Sequence, residues 1–281
     1  MGFDGFDSLV FADTAVEAAL SCFGRLKAEK AAGRRSLIVT LVDGDGAESI
    51  ARRGLGTVAR FEEIAPAAGP GNPQALRERL SMVIRQIGPR HVLAPIGLLG
   101  TSRSIDYFGL LRAAMSVHKG RDLLFFEERP HCLVAEAIML RLSFLGARLP
   151  PASELRSPRR HLAFTLRLLV GFTPPLFGGA RERFRVARAQ RTAFREAADW
   201  DPHKALGPRL QPVMEPFPTE DADDIFAFAG ELGCATAMGP PNSFKRRMLR
   251  HAASGGSRTP IERYWLSLPG GDEADPVGEL F

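Results

Sequence analysis

The stretch that most constrains the fold runs over residues 8–45. Ser8-Leu-Val-Phe-Ala12 is an apolar run of the length of a buried strand. Residues 15–32 then set Ala19, Leu20, Phe23, Leu26 and Lys27 at helical spacing, and Gly33 stands where a helix C-terminal cap is wanted. Ser36-Leu-Ile-Val-Thr-Leu-Val42 is a second strand-like run. Strand, helix and strand in this order predict a parallel βαβ crossover. Ligands of such sheets gather beyond the carboxyl ends of the strands. Asp13, Thr14, Glu17, Asp43 and Asp45 are therefore expected on one rim.

The pattern continues downstream. Residues 74–87 put Leu76, Leu80, Val83, Ile84 and Ile87 on one helix face, Gly88-Pro89 ends the helix, and residues 91–96 form the next strand. The expectation is an α/β fold, a Rossmann-like three-layer sandwich with a mostly parallel sheet, in a single domain over residues 1–269. Strands 9–12, 37–42 and 92–96 should be parallel neighbours. Residues 47–73, rich in small residues, Gly and Pro, read as a rim excursion with a short strand near 56–61. Residues 133–149 and 160–172 read as helices, 181–198 as a basic helix, and 199–219 as irregular surface. The polar, acidic residues 270–281 read as a disordered tail.

Composition narrows the class. With 281 residues and 45% hydrophobic content, the chain can bury a full core. No uncharged apolar run approaches the roughly 18 residues of a membrane helix, so no membrane partner is expected. Asp4 and Asp7 stand where a signal peptide needs basic residues. The three cysteines, Cys22, Cys132 and Cys234, are odd in number and far apart, which predicts reduced thiols in a cytoplasmic protein. Cys22 falls at a core position of the first helix. The formal charge of +5 is concentrated at Arg156 to Arg195. That region lacks the interleaved aromatics of a base-stacking surface, so nucleic acid is not the expected partner. It reads as a solvated face or as a dock for an anionic sugar or a protein partner.

Five blocks in order carry a family resemblance. Ala19-Leu-Ser-Cys-Phe-Gly24 with Val39-Thr-Leu-Val-Asp-Gly44, and Pro95-Ile-Gly-Leu-Leu-Gly100 with Ser104-Ile-Asp-Tyr107, are the first two. Leu123-Leu-Phe-Phe-Glu-Glu-Arg-Pro-His131, Lys245 to Arg250, and Glu262-Arg-Tyr-Trp265 complete the set. Together they resemble the PIG-L family of zinc-dependent N-acetylglucosaminyl de-N-acetylases, whose first strand ends in His-Pro-Asp-Asp. Alignment on Leu20-Ser21-Cys22 sets the family's histidine ligand on Thr14, its general-base aspartate on Val16 and its aspartate ligand on Glu17. Matching Asp106 to the family aspartate sets the oxyanion histidine on Ser104 and the last ligand histidine on Tyr107. The family's Arg-x-x-Glu helix has no clear counterpart in residues 47–73.

A zinc hydrolase needs about three protein ligands and an open position for water. The metal lowers the pKa of that water from about 15.7 to about 7, roughly 12 kcal/mol of proton free energy. A threonine hydroxyl and a tyrosine phenol are poor substitutes, and Val16 cannot accept a proton. No zinc or other cofactor is therefore expected. Thr14-x-x-Glu17 also has the spacing of a capping box, and Ser104 can cap the next helix with Asp106 in its first turn. Tyr107 is expected to fill the vacated metal space. Two functions remain open. One is a metal-free pseudo-deacetylase that keeps a sugar-sized cleft for binding, regulation or complex formation, with an amino-sugar or other small polar ligand held by Asp13, Thr14, Glu17, Asp43, Asp45, Arg103 and His131. The other is an enzyme with a changed, zinc-independent reaction, for which Ser104, Asp106 and Tyr107 are the catalytic candidates.

Overall fold

The computed structural model describes residues 5–40, 46–63, 73–98, 107–115, 120–129, 132, 137–151, 199–216 and 261–269. Its elements are β1 Ser8–Ala12, α1 Ala15–Ala31, β2 Ser36–Thr40, α2 Gly46–Leu55, β3 Arg60–Glu63, α3 Pro73–Ile87 and β4 His91–Pro95, then α4 Tyr107–Met115, β5 Asp122–Phe126, α5 Ala137–Phe144, β6 Leu210–Pro216 and β7 Ile261–Ser267. Among the described residues the strands form one sheet in the order β3-β2-β1-β4-β5-β7-β6. The first five are mutually parallel, while β7 runs antiparallel to both β5 and β6. Strands β2 and β4 flank β1 on either side, as the sequence predicts.

Strand alternation divides the interior into two cores. Leu9, Phe11, Leu37, Val39, Val92, Ala94, Leu123 and Phe125 face Leu80, Ile84 and Ile87 of α3, together with buried residues of α4 and α5. Val10, Ala12, Ile38, Leu93, Leu124 and Phe126 face the buried residues of α1 and α2. A central sheet with helices on both faces requires strands that are apolar on both sides. The fully buried runs Ser8–Ala12 and Ser36–Thr40 meet that requirement. Cys22 and Cys132 are buried free thiols, and burial pushes the Cys132 thiol up to about 12. No helix among the described residues is long and apolar enough to cross a membrane.

Helix α1 is tied at both ends and in its middle. Gly33, at φ 74°, supplies the left-handed turn that closes it, with its N–H donating to the Lys30 carbonyl at 2.9 Å. Buried Glu29 accepts from the Ser8 hydroxyl at 2.8 Å and the Ser36 hydroxyl at 2.7 Å, pinning α1 to the starts of β1 and β2. In mid-helix the Glu262 carboxylate of β7 accepts from the Gly24 and Arg25 amides, each at 2.9 Å. The Arg129 guanidinium donates to the Leu20 carbonyl at 3.1 Å on the same turn. A carboxylate and a guanidinium thus enter the helix ladder where a run of small and apolar residues lets β7 and the β5 end approach.

Three expectations need correction. Residues 46–55 are a helix rather than a rim excursion, and the strand that follows is Arg60–Glu63. Leu210–Pro216, read as irregular because of its prolines, is edge strand β6. Among the described residues its paired strand is β7, and on the other side the Leu210 N–H donates to the Arg148 carbonyl at 3.0 Å; prolines, which lack a backbone donor, are tolerated on an edge strand. The helix expected over 133–149 is Ala137–Phe144, ending at Gly146 with φ 57°. The expected helices at 160–172 and 181–198 and the tail 270–281 lie outside the described residues, as does the basic region Arg156 to Arg195.

Candidate functional site

The strand order reverses direction between β1 and β4, so the crevice of this sheet opens beyond their carboxyl ends. On the β1 side the chain passes from Ala12 through Asp13 into Thr14, the N-cap of α1. The Thr14 hydroxyl accepts from the Glu17 N–H at 3.2 Å. The Glu17 carboxylate reaches back to the Asp13 N–H at 2.8 Å, one residue earlier than in a standard capping box. The first two helical amides are taken by Glu48 of α2. It accepts from Ala15 N–H at 2.9 and 3.0 Å and from Val16 N–H at 3.4 Å, and Arg52 holds it at 3.2 Å. The positive end of the α1 dipole is thereby neutralised by the protein's own carboxylates.

On the other side, the ends of β4 and β5 are joined through Glu128. Its Oε1 accepts from the Leu98 N–H at 2.6 Å. Gly97, at φ 84°, lets the Arg141 guanidinium lie across the backbone, where an added Cβ would meet Nη2 at 3.0 Å. Arg141 Nε donates to the Ile96 carbonyl at 2.8 Å. Glu128 Oε2 is buried and makes no hydrogen bond among the described residues. Burial pushes the Glu128 carboxyl up to about 7, against the opposing pull of backbone donors and Arg141.

Tyr107 opens α4 and is almost wholly buried, with its ring in the core on the α3 side of the sheet. Its hydroxyl makes no hydrogen bond of normal geometry among the described residues. Burial, then the Asp13 and Glu17 carboxylates, hold its phenol well above the usual tyrosine range. Glu17 is half-buried. Desolvation, followed by the charges of Glu128 and Asp13, raises its carboxyl well above the carboxylate range. Glu17 therefore senses both Glu128 and Asp13, and Tyr107 senses Asp13 and Glu17.

Of the residues predicted for this rim, Asp13, Thr14, Glu17 and Tyr107 stand together at the carboxyl edge. Asp43, Asp45, Arg103, Ser104, Asp106 and His131 lie outside the described residues. Sequence reasoning missed Glu48 and Glu128. Glu128 stands two residues beyond an apolar strand, which is the signal for a rim carboxylate. Glu48 lies in the helix that the small residues around it concealed.

No family model matches the chain, and no curated protein matches it by sequence. Solved structures do match in fold. The zinc-inhibited form of teicoplanin deacetylase Orf2 superposes with a TM-score of 0.58 at 12% identity, over 95% of this chain and 99% of that one. The A40926 pseudoaglycone deacetylase Dbv21 gives a TM-score of 0.56 at 13% identity, over 96% of this chain and 100% of that one. The deacetylase–teicoplanin complex gives 0.53 at 11% identity, over 94% and 99% of the two chains. The chain has the single-sheet α/β fold of these deacetylases.

Among the described residues, the rim side chains do not offer a zinc donor set. Thr14 offers a neutral hydroxyl already engaged with the Glu17 amide, Glu17 is engaged with the Asp13 amide, and Tyr107 resists ionisation. Among the described residues no three His, Cys, Asp or Glu side chains group closely enough to hold a metal ion.

Proposed function

We propose that this chain is a metal-free relative of the deacetylases, a pseudo-deacetylase that uses the crevice between β1 and β4 to bind a small polar, sugar-sized ligand. The observation that carries this reading is the use of Thr14 and Glu17 as helix caps at the head of the crevice, where a zinc deacetylase would need metal ligands. The residues retain the scaffold but spend their lone pairs on backbone amides. Binding, regulation or complex formation then replaces amide hydrolysis as the role of the cleft. Asp13, Thr14 and Glu17 line it from β1 and α1. Asp43, Asp45, Arg103 and His131 are proposed to complete it.

A second reading has one observation of its own. Glu128 is a buried carboxyl near pH 7 with an oxygen left over, which is the state a general acid or base requires. In that reading Glu128 serves a zinc-independent reaction together with Ser104, Asp106 and Tyr107. One experiment separates the two. N-acetylglucosamine and chitobiose are incubated with the purified protein, with and without added zinc, while acetate release and ligand binding are followed. Saturable binding without acetate supports the first reading. Acetate release that needs zinc would overturn it. Turnover to another product, abolished by Glu128→Gln, would establish the second.

A further inference from the structure

We propose that Arg129 is the positioning residue of the crevice: locked between α1 and β7, it fixes the turn that delivers the Glu128 carboxylate to the end of β4. This rests on the reading above that the crevice is the working site, and it names what holds that site in shape.

Three charged residues, Glu127, Glu128 and Arg129, follow the apolar strand β5 directly, and all are buried, at 4%, 3% and 5% exposure. Charged side chains almost never sit so deep without partners. For the outer two the partners belong to the scaffold. Glu127 accepts from the Trp265 indole N–H at 2.8 Å and from the Arg263 guanidinium, both on β7. Arg129 is held by backbone and side chain alike. Its N–H donates to the Ser21 hydroxyl at 3.0 Å, and its guanidinium donates to the Leu20 carbonyl at 3.1 Å and to the Ile261 carbonyl. The middle residue reaches elsewhere: Glu128 Oε1 accepts from the Leu98 N–H at 2.6 Å, beyond the end of β4. The Cys132 N–H, donating to the Glu128 carbonyl at 2.8 Å, closes the turn. Anchors on both sides of Glu128 thus fix the backbone from which its carboxylate extends.

Glu262 completes the anchor. Its carboxylate lies 4.0 Å from Arg129 Nη1 and accepts from the Gly24 and Arg25 amides, so carboxylate and guanidinium grip neighbouring turns of α1. A buried ion pair is a poor source of stability, because desolvation offsets the attraction and apolar residues of similar volume serve as well. What this pair supplies is direction. A planar guanidinium donating to carbonyls of two different elements holds the chain at one angle. Leu20 and Ser21 stand one turn beyond Glu17 on α1, so the same anchor ties the Glu17 wall of the crevice to the Glu128 wall.

The test is amide NMR of the full chain at pH 8 without ligand. Leu98 is the probe, because its N–H meets the Glu128 carboxylate directly. Ser21→Ala, the mild variant, removes one acceptor from Arg129, and Arg129→Lys keeps the charge but loses the fork. Both should move the Leu98 proton upfield and speed its exchange, by about tenfold in Arg129→Lys and severalfold in Ser21→Ala. Ser8→Ala is the matched control. It takes a hydroxyl from buried Glu29 at the other end of α1 and should leave Leu98 unchanged. The Glu128 carboxyl, followed by carbon NMR, should drop by about one pH unit from near 7 in Arg129→Lys, as water reaches it, and hold in Ser8→Ala. Should Arg129→Lys fail to fold, Ser21→Ala decides. A Leu98 signal unmoved in Ser21→Ala, or moved as far in Ser8→Ala, would show that Arg129 only stabilises the fold and would overturn the proposal. No ligand enters the experiment, so its outcome is separate from what the crevice binds.

Discussion

Glu128→Gln tests the electrostatics of the crevice through stability. The carboxyl is 3% exposed and titrates near 7 in the folded chain, against 4.5 for an ordinary glutamate. A raised carboxyl means that the folded state holds its proton where the unfolded state has already released it. Stability from this group is therefore full below about pH 4.5 and declines as pH rises to about 7. The gap corresponds to about 3 kcal/mol at most, from about 1.4 kcal/mol for each pH unit. Glutamine imitates the protonated side chain and keeps an oxygen for the Leu98 N–H. The variant should match the native protein near pH 4.5 and exceed it at pH 8 by up to about 3 kcal/mol. Urea denaturation across pH 4.5–8.5 measures the difference, provided that the slope with denaturant is unchanged. A native-minus-variant difference that does not change with pH would show that Glu128 is ionised normally, and the coupling described for the crevice would fall with it.

Three further outcomes follow from the same geometry. Thr14→Ala removes the α1 cap and should cost about 0.5–2 kcal/mol, read as a lower midpoint in urea unfolding. Glu48→Ala strips the acceptor from the Ala15 and Val16 amides and removes the carboxylate that Arg52 Nε meets at 3.2 Å. It should cost about 1–3 kcal/mol, seen as a lower urea midpoint. Glu262→Ala uncovers the Gly24 and Arg25 amides and removes the acceptor of the Tyr264 hydroxyl. It should destabilise by about 3–5 kcal/mol. Amide hydrogen exchange at Gly24 and Arg25 should accelerate before the rest of α1, and uniform protection along the helix would contradict the insertion.

The βαβ opening was legible because both strands are apolar on both faces and α1 is bounded by a Thr cap and a left-handed Gly. Parallel pairing on either side of β1 followed from those runs. Helix α2 was not legible. Its wholly buried apolar positions are Ala51 and Leu55, and Gly54, Arg52 and Arg53 blur the periodicity around them. Strand β6 was hidden by Pro212 and Pro216, which an edge strand tolerates. The capping role of Thr14 was legible from the spacing. The target of Glu17 was not, because a side chain that bonds Asp13 N–H rather than Thr14 N–H differs by a backbone turn that sequence does not encode locally. The approach of Glu17 to both Glu128 and Tyr107 needed the sheet order, since the three are separated by long stretches of chain.

The zinc content of the protein tests the central claim most directly. Protein purified without chelators is analysed for metals after gel filtration and then titrated with zinc by calorimetry. With Thr14 and Glu17 committed to backbone amides and Tyr107 resistant to ionisation, zinc should be far below one equivalent and no tight stoichiometric binding should appear. About one zinc per chain, lost in Glu17→Ala, would contradict the account and return the crevice to metal chemistry.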